Sequence, residues 1–158
     1  MNMYNMMFGS NVFAPMLLEM LGTNEDSIPR FRDCYIREGY IVIFTRTGGG
    51  NRDWYESQER FNYEFPDEEY EGPFNEDLMK LPGYAFDRDD DFDNTYAEFF
   101  FKPSEECQKL IDQLSAVNGR SLPELFEDVE SSTNSMEAHR VISVGKRILA
   151  KMSDSENP

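Results

Sequence analysis

The sequence is poor in the residues that enzymes most often use for covalent chemistry. It contains one histidine and two cysteines among 158 residues. His139 lies in the segment that predicts the last helix, far along the chain from the other polar motifs. Neither Cys34 nor Cys107 has a catalytic or metal-binding motif around it, so we expect two free buried thiols. Nucleophilic catalysis has little support, and no cofactor is expected.

Positive charge is also scarce. The chain has 15 basic and 31 acidic residues, a formal net charge of −16. Direct binding to nucleic acid or to an anionic membrane needs a basic face, so we expect neither partner. No apolar run approaches about 18 residues, and the first residues lack the basic flank and cleavage site of a signal peptide. These absences predict a cytoplasmic protein.

Aromatic residues are abundant by contrast. Thirteen Phe and eight Tyr make up most of the 14% aromatic content, which predicts a folded chain with a core built from rings. The length fits a single domain over residues 1–158. Within it we expect a flexible arm at 1–10, a long ordered loop or insertion at 61–83, and a frayed tail at 153–158.

Hydrophobic periodicity predicts the order of helices and strands. Apolar spacing predicts a helix at 13–21, capped by Ser10 or Asn11 and ended by Gly22. Two strands joined at Gly39, a short helix within 52–60, a third strand at 95–101 and three further helices follow. The helices are expected from 105, from a capping box that starts at Ser121, and from 136 to 152. This order predicts an α+β fold, with a small antiparallel sheet of about three or four strands packed by helices at both chain ends.

The stretch TRTGGGNR follows directly on the apolar run YIVIF. Consecutive glycines let backbone N–H groups approach an anion closely, and the two flanking arginines could hold phosphate oxygens. The stretch lacks the Lys-Ser/Thr of a P-loop and the third glycine of a dinucleotide fingerprint. A flexible turn or bulge is the alternative interpretation. The predicted phosphate-binding set is Arg46, Thr47, Gly48, Gly49, Gly50, Asn51 and Arg52.

A second polar motif, DRDDDFDNTY, comes directly before the third predicted strand. Its carboxylates could pair with the two arginines of the Gly-rich stretch or contact a sugar or base. The residues assigned to this role are Asp91, Asp93, Asn94 and Tyr96. Asp89, Asp91 and Asp93 also alternate like the first half of a calcium loop, but the Gly and distal Glu of that loop are absent. They are weak candidates for a divalent metal site, and a solvated acidic turn is the other interpretation.

The two motifs together resemble a family of small, mostly uncharacterised proteins encoded by bacteriophages and prophages. TRTGGGNR and DDDFDNTYAEFFF are similar to the TRxGGGNR and DDDFDxTYAxF blocks of that family. The resemblance covers about Arg32 to Phe101, and residues 61–74 look like an insertion relative to shorter members. It implies a viral accessory protein, which would act in the host cytoplasm. It implies no particular activity, and it favours treating both motifs as one site.

Three functions follow from these patterns. The leading hypothesis is a non-enzymatic protein that binds a nucleotide-like, phosphate-containing ligand and so sequesters a host defence signal. The alternative is an acidic protein that binds a basic host protein and inhibits a host nucleic-acid enzyme. The third is a metal-dependent phosphoesterase that uses Asp89, Asp91 and Asp93; it ranks last because the sole histidine is remote. A homo-oligomer is left open.

Overall fold

The computed structural model describes residues 12–46, 57–69, 74–81, 83–85, 96–115 and 121–156. Within these ranges four antiparallel strands form one sheet in the order β1-β2-β4-β3. The strands are β1 Phe31–Arg37, β2 Tyr40–Arg46, β3 Tyr84–Ala85 and β4 Tyr96–Phe101. The helices are α1 Phe13–Met20, α2 Gln58–Glu64, α3 Glu105–Ser115, α4 Leu122–Ser132 and α5 Met136–Glu156, with 3-10 helices at Glu25–Ser27 and Glu76–Lys80. The predicted α+β class, with helices before and after a small antiparallel sheet, is confirmed.

The predicted hairpin of β1 and β2 is closed by two residues in the left-handed region. Glu38 has φ 53° and Gly39 has φ 84°, and the flanking residues Arg37 and Tyr40 pair across the turn. Two left-handed residues give the turn whose twist matches that of the strands. Glycine adopts this conformation without steric cost, so Gly39 allows the turn to be predicted from the sequence.

One face of the sheet is apolar and faces the helices. Alternate residues of three strands are buried there in a single core cluster: Cys34, Ile36, Ile41, Ile43, Phe99 and Phe101. Phe99 and Phe101 share this face of β4, as strand alternation requires.

Helix α1 joins the sheet to the helical layer, because it contacts both β1 and α5. It starts at Phe13 after the N-cap residue Val12, which makes no side-chain capping bond, and the expected caps Ser10 and Asn11 lie outside the described residues. Burial of six of its eight residues stabilises the helix instead. Its end is as predicted: Gly22 has φ 81° and donates its N–H to the Glu19 carbonyl.

Close packing of α1, α4 and α5 depends on a glycine inside the last helix. A Cβ at Gly145 would lie 2.6 Å from Met16 Sδ and 3.0 Å from the Phe126 ring. The missing side chain therefore lets α5 approach both neighbours. Within the described part of the chain, no helix combines the length and apolar character that crossing a membrane requires.

Three elements differ from expectation. Helix α2 begins at Gln58 and runs through Glu64, so it occupies the start of the expected loop at 61–83. Ser57 explains its start, because the Ser57 hydroxyl accepts the Arg60 N–H. Helix α5 continues to Glu156, into the expected tail, since no Gly or Pro stands between Met152 and Glu156 to stop it. Strand β3, of two residues, was not predicted as a strand. The single domain stays a prediction, and the arm expected at 1–10 lies outside the described residues.

Candidate functional site

The two predicted ligand-binding segments join the sheet at the same place. Strand β2 ends at Arg46, strand β4 begins at Tyr96, and these two residues pair across the antiparallel ladder. Thr45 pairs with Ala97 in the next position. Directly opposed residues in such a ladder have Cα atoms roughly 4.5–5.5 Å apart. The Gly-rich segment therefore leaves the sheet beside the point where the acidic segment enters it, and we call this the Arg46 end of the sheet.

The other predicted site residues lie outside the described residues: Thr47, Gly48, Gly49, Gly50, Asn51 and Arg52 of the Gly-rich segment, and Asp89, Asp91, Asp93 and Asn94 of the acidic segment. For Arg46 and Tyr96 the structure describes the strand backbone. The fold thus brings together the attachment points of both segments. A shared pocket between them stays a prediction.

Strand β1 begins at the Arg46 end as well. Phe31 pairs with Thr45, and a bulge follows between Phe31 and Asp33. Arg30 has φ 58°, a left-handed conformation that is uncommon outside glycine. Arg30 and Arg32 are both exposed. The Arg46 end therefore carries two arginines that the sequence interpretation missed.

The paired ends of β1 and β2 carry Arg32 and Arg46, and Arg30 directly precedes β1, in a chain with a net charge of −16. Local positive charge on an acidic protein attracts anions to that region and repels them from the rest of the surface. Both Arg30 and Arg32 lie in the stretch PRFRD, so their position could have been predicted from the sequence. Once the hairpin register is drawn from the turn at Gly39, the start of β1 falls opposite the end of β2.

The described chain resumes at Ser57, five residues after the Gly-rich stretch ends, and hydrogen bonds hold this point in the fold. The Ser57 hydroxyl accepts the Arg60 N–H at 3.1 Å, and the Gln58 N–H donates to Glu76 Oε1 at 2.9 Å. A carboxylate at the start of a helix is favourable there because the first N–H groups have no partner within the helix. The chain between Arg46 and Ser57 therefore runs from the end of β2 to a capped helix start.

An ion pair crosses the sheet on the face opposite the main core. Arg37 on β1 reaches Glu98 on β4 with an N···O distance of 2.5 Å, and its guanidinium lies 5.1 Å from the centre of the Phe100 ring. Because β2 lies between these two strands, the arginine side chain crosses β2. Burial alone would lower the pKa of Arg37, but the bond to Glu98 outweighs it and raises the pKa.

The nucleophile candidates of the described residues are unsuited to catalysis. Burial raises the pKa of the Cys34 thiol well above its usual value, and burial raises that of Cys107 to about 11. Both thiols therefore stay protonated near neutral pH. His139 is half-buried and contacts the Thr133 carbonyl through Nε2 at 3.0 Å. Among the residues that the structure describes, no cluster of three His, Cys, Asp or Glu side chains could hold a metal ion.

Part of the chain is similar to a viral protein. Over 76 residues it is 36% identical to an uncharacterised protein of Acanthamoeba polyphaga mimivirus. The matched stretch covers 47% of this chain and 26% of that protein. No protein-family model matches the sequence, and no solved structure matches it either. The similarity relates part of the chain to a viral protein and assigns no activity.

Proposed function

We propose that this chain is a viral accessory protein that binds a phosphate-containing, nucleotide-like ligand at the Arg46 end of its sheet. The Gly-rich segment would offer backbone N–H groups to the phosphates, with Arg46 and Arg52 as paired cations. Asp91, Asp93, Asn94 and Tyr96 would hold these cations in place or contact the sugar and base. We further propose that it belongs with the phage-encoded proteins that its motifs resemble and sequesters a host defence signal.

The observation that carries the proposal is the pairing of Arg46 with Tyr96. A mononucleotide is small, so the groups that contact its phosphate and its base must come from neighbouring parts of one surface. The two motifs are distant in sequence, and only the sheet register makes their attachment points neighbours. This register supports one site in preference to two unrelated loops.

The charge distribution supports an anionic ligand. Arg30 and Arg32 are exposed at the same end, on a strand paired with β2. Arginine is suited to phosphate because its planar guanidinium presents two parallel N–H groups to two oxygens. A cluster of arginines on an acidic chain also speeds the encounter with an anion and makes binding dependent on salt.

Calorimetric titration with nucleoside mono-, di- and cyclic phosphates tests the proposal. We expect binding of at least one class at low salt, with a dissociation constant that rises as salt is added. Arg46→Ala should weaken binding by about tenfold or more, because a hydrogen bond between charged groups is lost. Lys109→Ala removes an exposed cation on α3 and should leave the affinity unchanged.

Experiments on the wild type and on Arg46→Ala also distinguish the three hypotheses for the function. A wild-type protein that binds no phosphate ligand at low salt would contradict the proposal. A salt-sensitive complex with a basic host protein that survives Arg46→Ala would favour the inhibitor. Nucleotide hydrolysis that a chelator abolishes would favour the phosphoesterase.

A further inference from the structure

A cavity of about 500 Å³ lies between α1 and α5, beside the turn that follows α1. Its apolar lining includes Leu18 of α1 and Val144 and Ile148 of α5. Val144 and Ile148 pack against the core cluster but are only half-buried, so part of each side chain is open to the cavity. Small-molecule sites have volumes of roughly 300–1,000 Å³ and combine an apolar lining with a few polar groups. The cavity has the size and the apolar surface of such a site.

The opening lies next to a tight contact between the same two helices. At Gly145, which follows Val144, a Cβ would lie only 2.6 Å from Met16 Sδ. The helices are therefore closely packed on one side and separate on the neighbouring side. Since packed helices usually leave few voids, this opening is a place where an apolar group could leave water without disturbing the core.

The third wall of the cavity is held by hydrogen bonds. It consists of Thr23, Asn24 and Glu25, which follow the end of α1. The Thr23 N–H donates to the Leu18 carbonyl at 3.0 Å, and Asn24 Oδ1 accepts the Ser27 N–H at 3.2 Å. The cavity is thus formed without a ligand, and binding would require little ordering of the chain.

Three charged side chains also line the cavity: Glu19, Glu25 and Arg147. Arg140 neutralises Glu19, because the Arg140 Nε lies 2.9 Å from Glu19 Oε1. Glu25 and Arg147 are exposed, and neither forms an ion pair within the part of the chain that the structure describes. The cavity therefore combines an apolar lining with one unpaired anion and one unpaired cation.

We propose that this cavity binds a zwitterion with an apolar body, which is the chemistry of a free apolar amino acid or of a dipeptide of such residues. Arg147 would donate two parallel N–H groups to the carboxylate, and Glu25 would accept from the ammonium group. The apolar body would cover Val144 and Ile148. A fatty acid would place a second anion near Glu25, and an amine would leave Arg147 unpaired, so charge complementarity favours a ligand with both charges.

A second cavity, of about 490 Å³, lies beside α3 and has a different lining. Lys109, Gln113 and the polar residues 132–135 line it, and its two apolar residues, Leu110 and Ala138, are buried. It therefore offers little apolar surface to a ligand. Because Lys109 is an exposed cation at a cavity of similar size, Lys109→Gln is the matched control for a change at Arg147.

Amide NMR spectra of the isotope-labelled protein test the proposal, with leucine and leucyl-leucine as probes. We expect saturable shifts of the amides around the cavity, including those of Thr23, Val144 and Ile148. The dissociation constant should be on the order of 1 mM or below, which suits a ligand of few atoms. Tighter binding of the dipeptide would assign the cavity to short peptides, and tighter binding of leucine would assign it to free amino acids. Shifts that do not saturate with either probe, or that are scattered over the surface, would overturn the proposal.

Three partial probes show which groups of the ligand are recognised. Isocaproate is leucine without its ammonium group, isoamylamine is leucine without its carboxylate, and glycine lacks the apolar body. The first two should bind about threefold to tenfold more weakly than leucine, because each loses one ion pair at an exposed position. Glycine should bind about tenfold more weakly or worse. Isocaproate or isoamylamine that binds as tightly as leucine would contradict recognition of a zwitterion.

Two variants test the charges one at a time. Arg147→Gln and Glu25→Gln change exposed side chains, so both proteins should fold like the wild type. Arg147→Gln should no longer distinguish leucine from isoamylamine, and Glu25→Gln should no longer distinguish leucine from isocaproate. Lys109→Gln and Asp26→Asn, at an exposed acid next to Glu25 that does not line the cavity, should keep the wild-type preferences. Unchanged preferences in the two cavity variants would refute the assigned roles.

This inference is independent of the function proposed for the Arg46 end of the sheet. Arg46→Ala should leave the binding of leucine and leucyl-leucine unchanged. If no nucleotide binds while the amides of the cavity shift with leucine, the proposed function fails and this inference holds. If nucleotides bind and neither leucine nor leucyl-leucine does, only this inference is wrong.

Discussion

The two faces of the sheet are stabilised in different ways. On the helix-covered face, Ile41 and Ile43 of β2 are fully buried against apolar neighbours. On the other face, Val42 is equally buried but lies outside the main core cluster. There Arg37 crosses β2 to reach Glu98. The comparison shows that an aliphatic core covers one face of β2, while a charged side chain with an apolar stem helps to cover the other.

This difference bears on the candidate site. A strand buried on both faces has little freedom to move, and β2 ends at Arg46. Binding groups are positioned more precisely when they extend from such an element than from a loop alone. Strand β2 would therefore give the proposed site a firm base, while most of the predicted ligand contacts would come from the segments that follow.

The largest expected effect is on the helix-covered face. Phe126 is fully buried and makes an edge contact with Phe13 at a centroid distance of 6.2 Å. Phe126→Ala should lower the free energy of unfolding by about 3–5 kcal/mol, because it removes buried area and leaves a cavity beside Gly145. Urea unfolding measures this. Met136→Ala, at an exposed apolar residue, should change stability by less than about 0.5 kcal/mol. Similar losses in both variants would contradict the assignment of Phe126 to the core.

A smaller effect is expected from the ion pair of Arg37 and Glu98 on the opposite face of the sheet. A double-mutant cycle of Arg37→Met and Glu98→Gln should give a coupling of about 1 kcal/mol at most, since the Arg37 side chain is 43% exposed and water screens the pair. The coupling should fall as salt is added. The matched control is the exposed pair of Lys80 and Asp77, at 3.5 Å, which should show almost none. Equal coupling in both pairs would mean that Arg37 covers β2 by packing alone.

The sequence predicted the elements whose signals are local. The turn at Gly39 and the capping serine at Ser121 mark their own positions, and Ser121 accepts the Glu124 N–H as expected. Strand β3 was missed because two residues cannot display a period. Gly145 was also missed, because its reason is the distance to Met16 and Phe126 on other helices, which no local pattern contains.

The candidate site also combines features that the sequence indicates with features that only the fold reveals. Composition and spacing indicated Arg46 and Tyr96, but only the register of β2 and β4 makes them neighbours. Arg30 and Arg32 follow from the hairpin pairing, which was available once the turn was placed.

The smallest expected effect is a change in the stability of the protein between pH 8 and 11. Burial, followed by the charge of Glu98, raises the pKa of Tyr35 to about 12, against an ordinary value of about 10. The stabilising contribution of the neutral phenol is complete below pH about 10 and is lost as pH rises toward 12. Urea midpoints measured from pH 8 to 11 should therefore fall less steeply for Tyr35→Phe than for the wild type. Tyr63→Phe, at an exposed tyrosine, should follow the wild type. Identical slopes for all three proteins would mean that Tyr35 ionises as easily in the folded chain as in the unfolded one, and that the face beside Glu98 is more open to water than the ion pair implies.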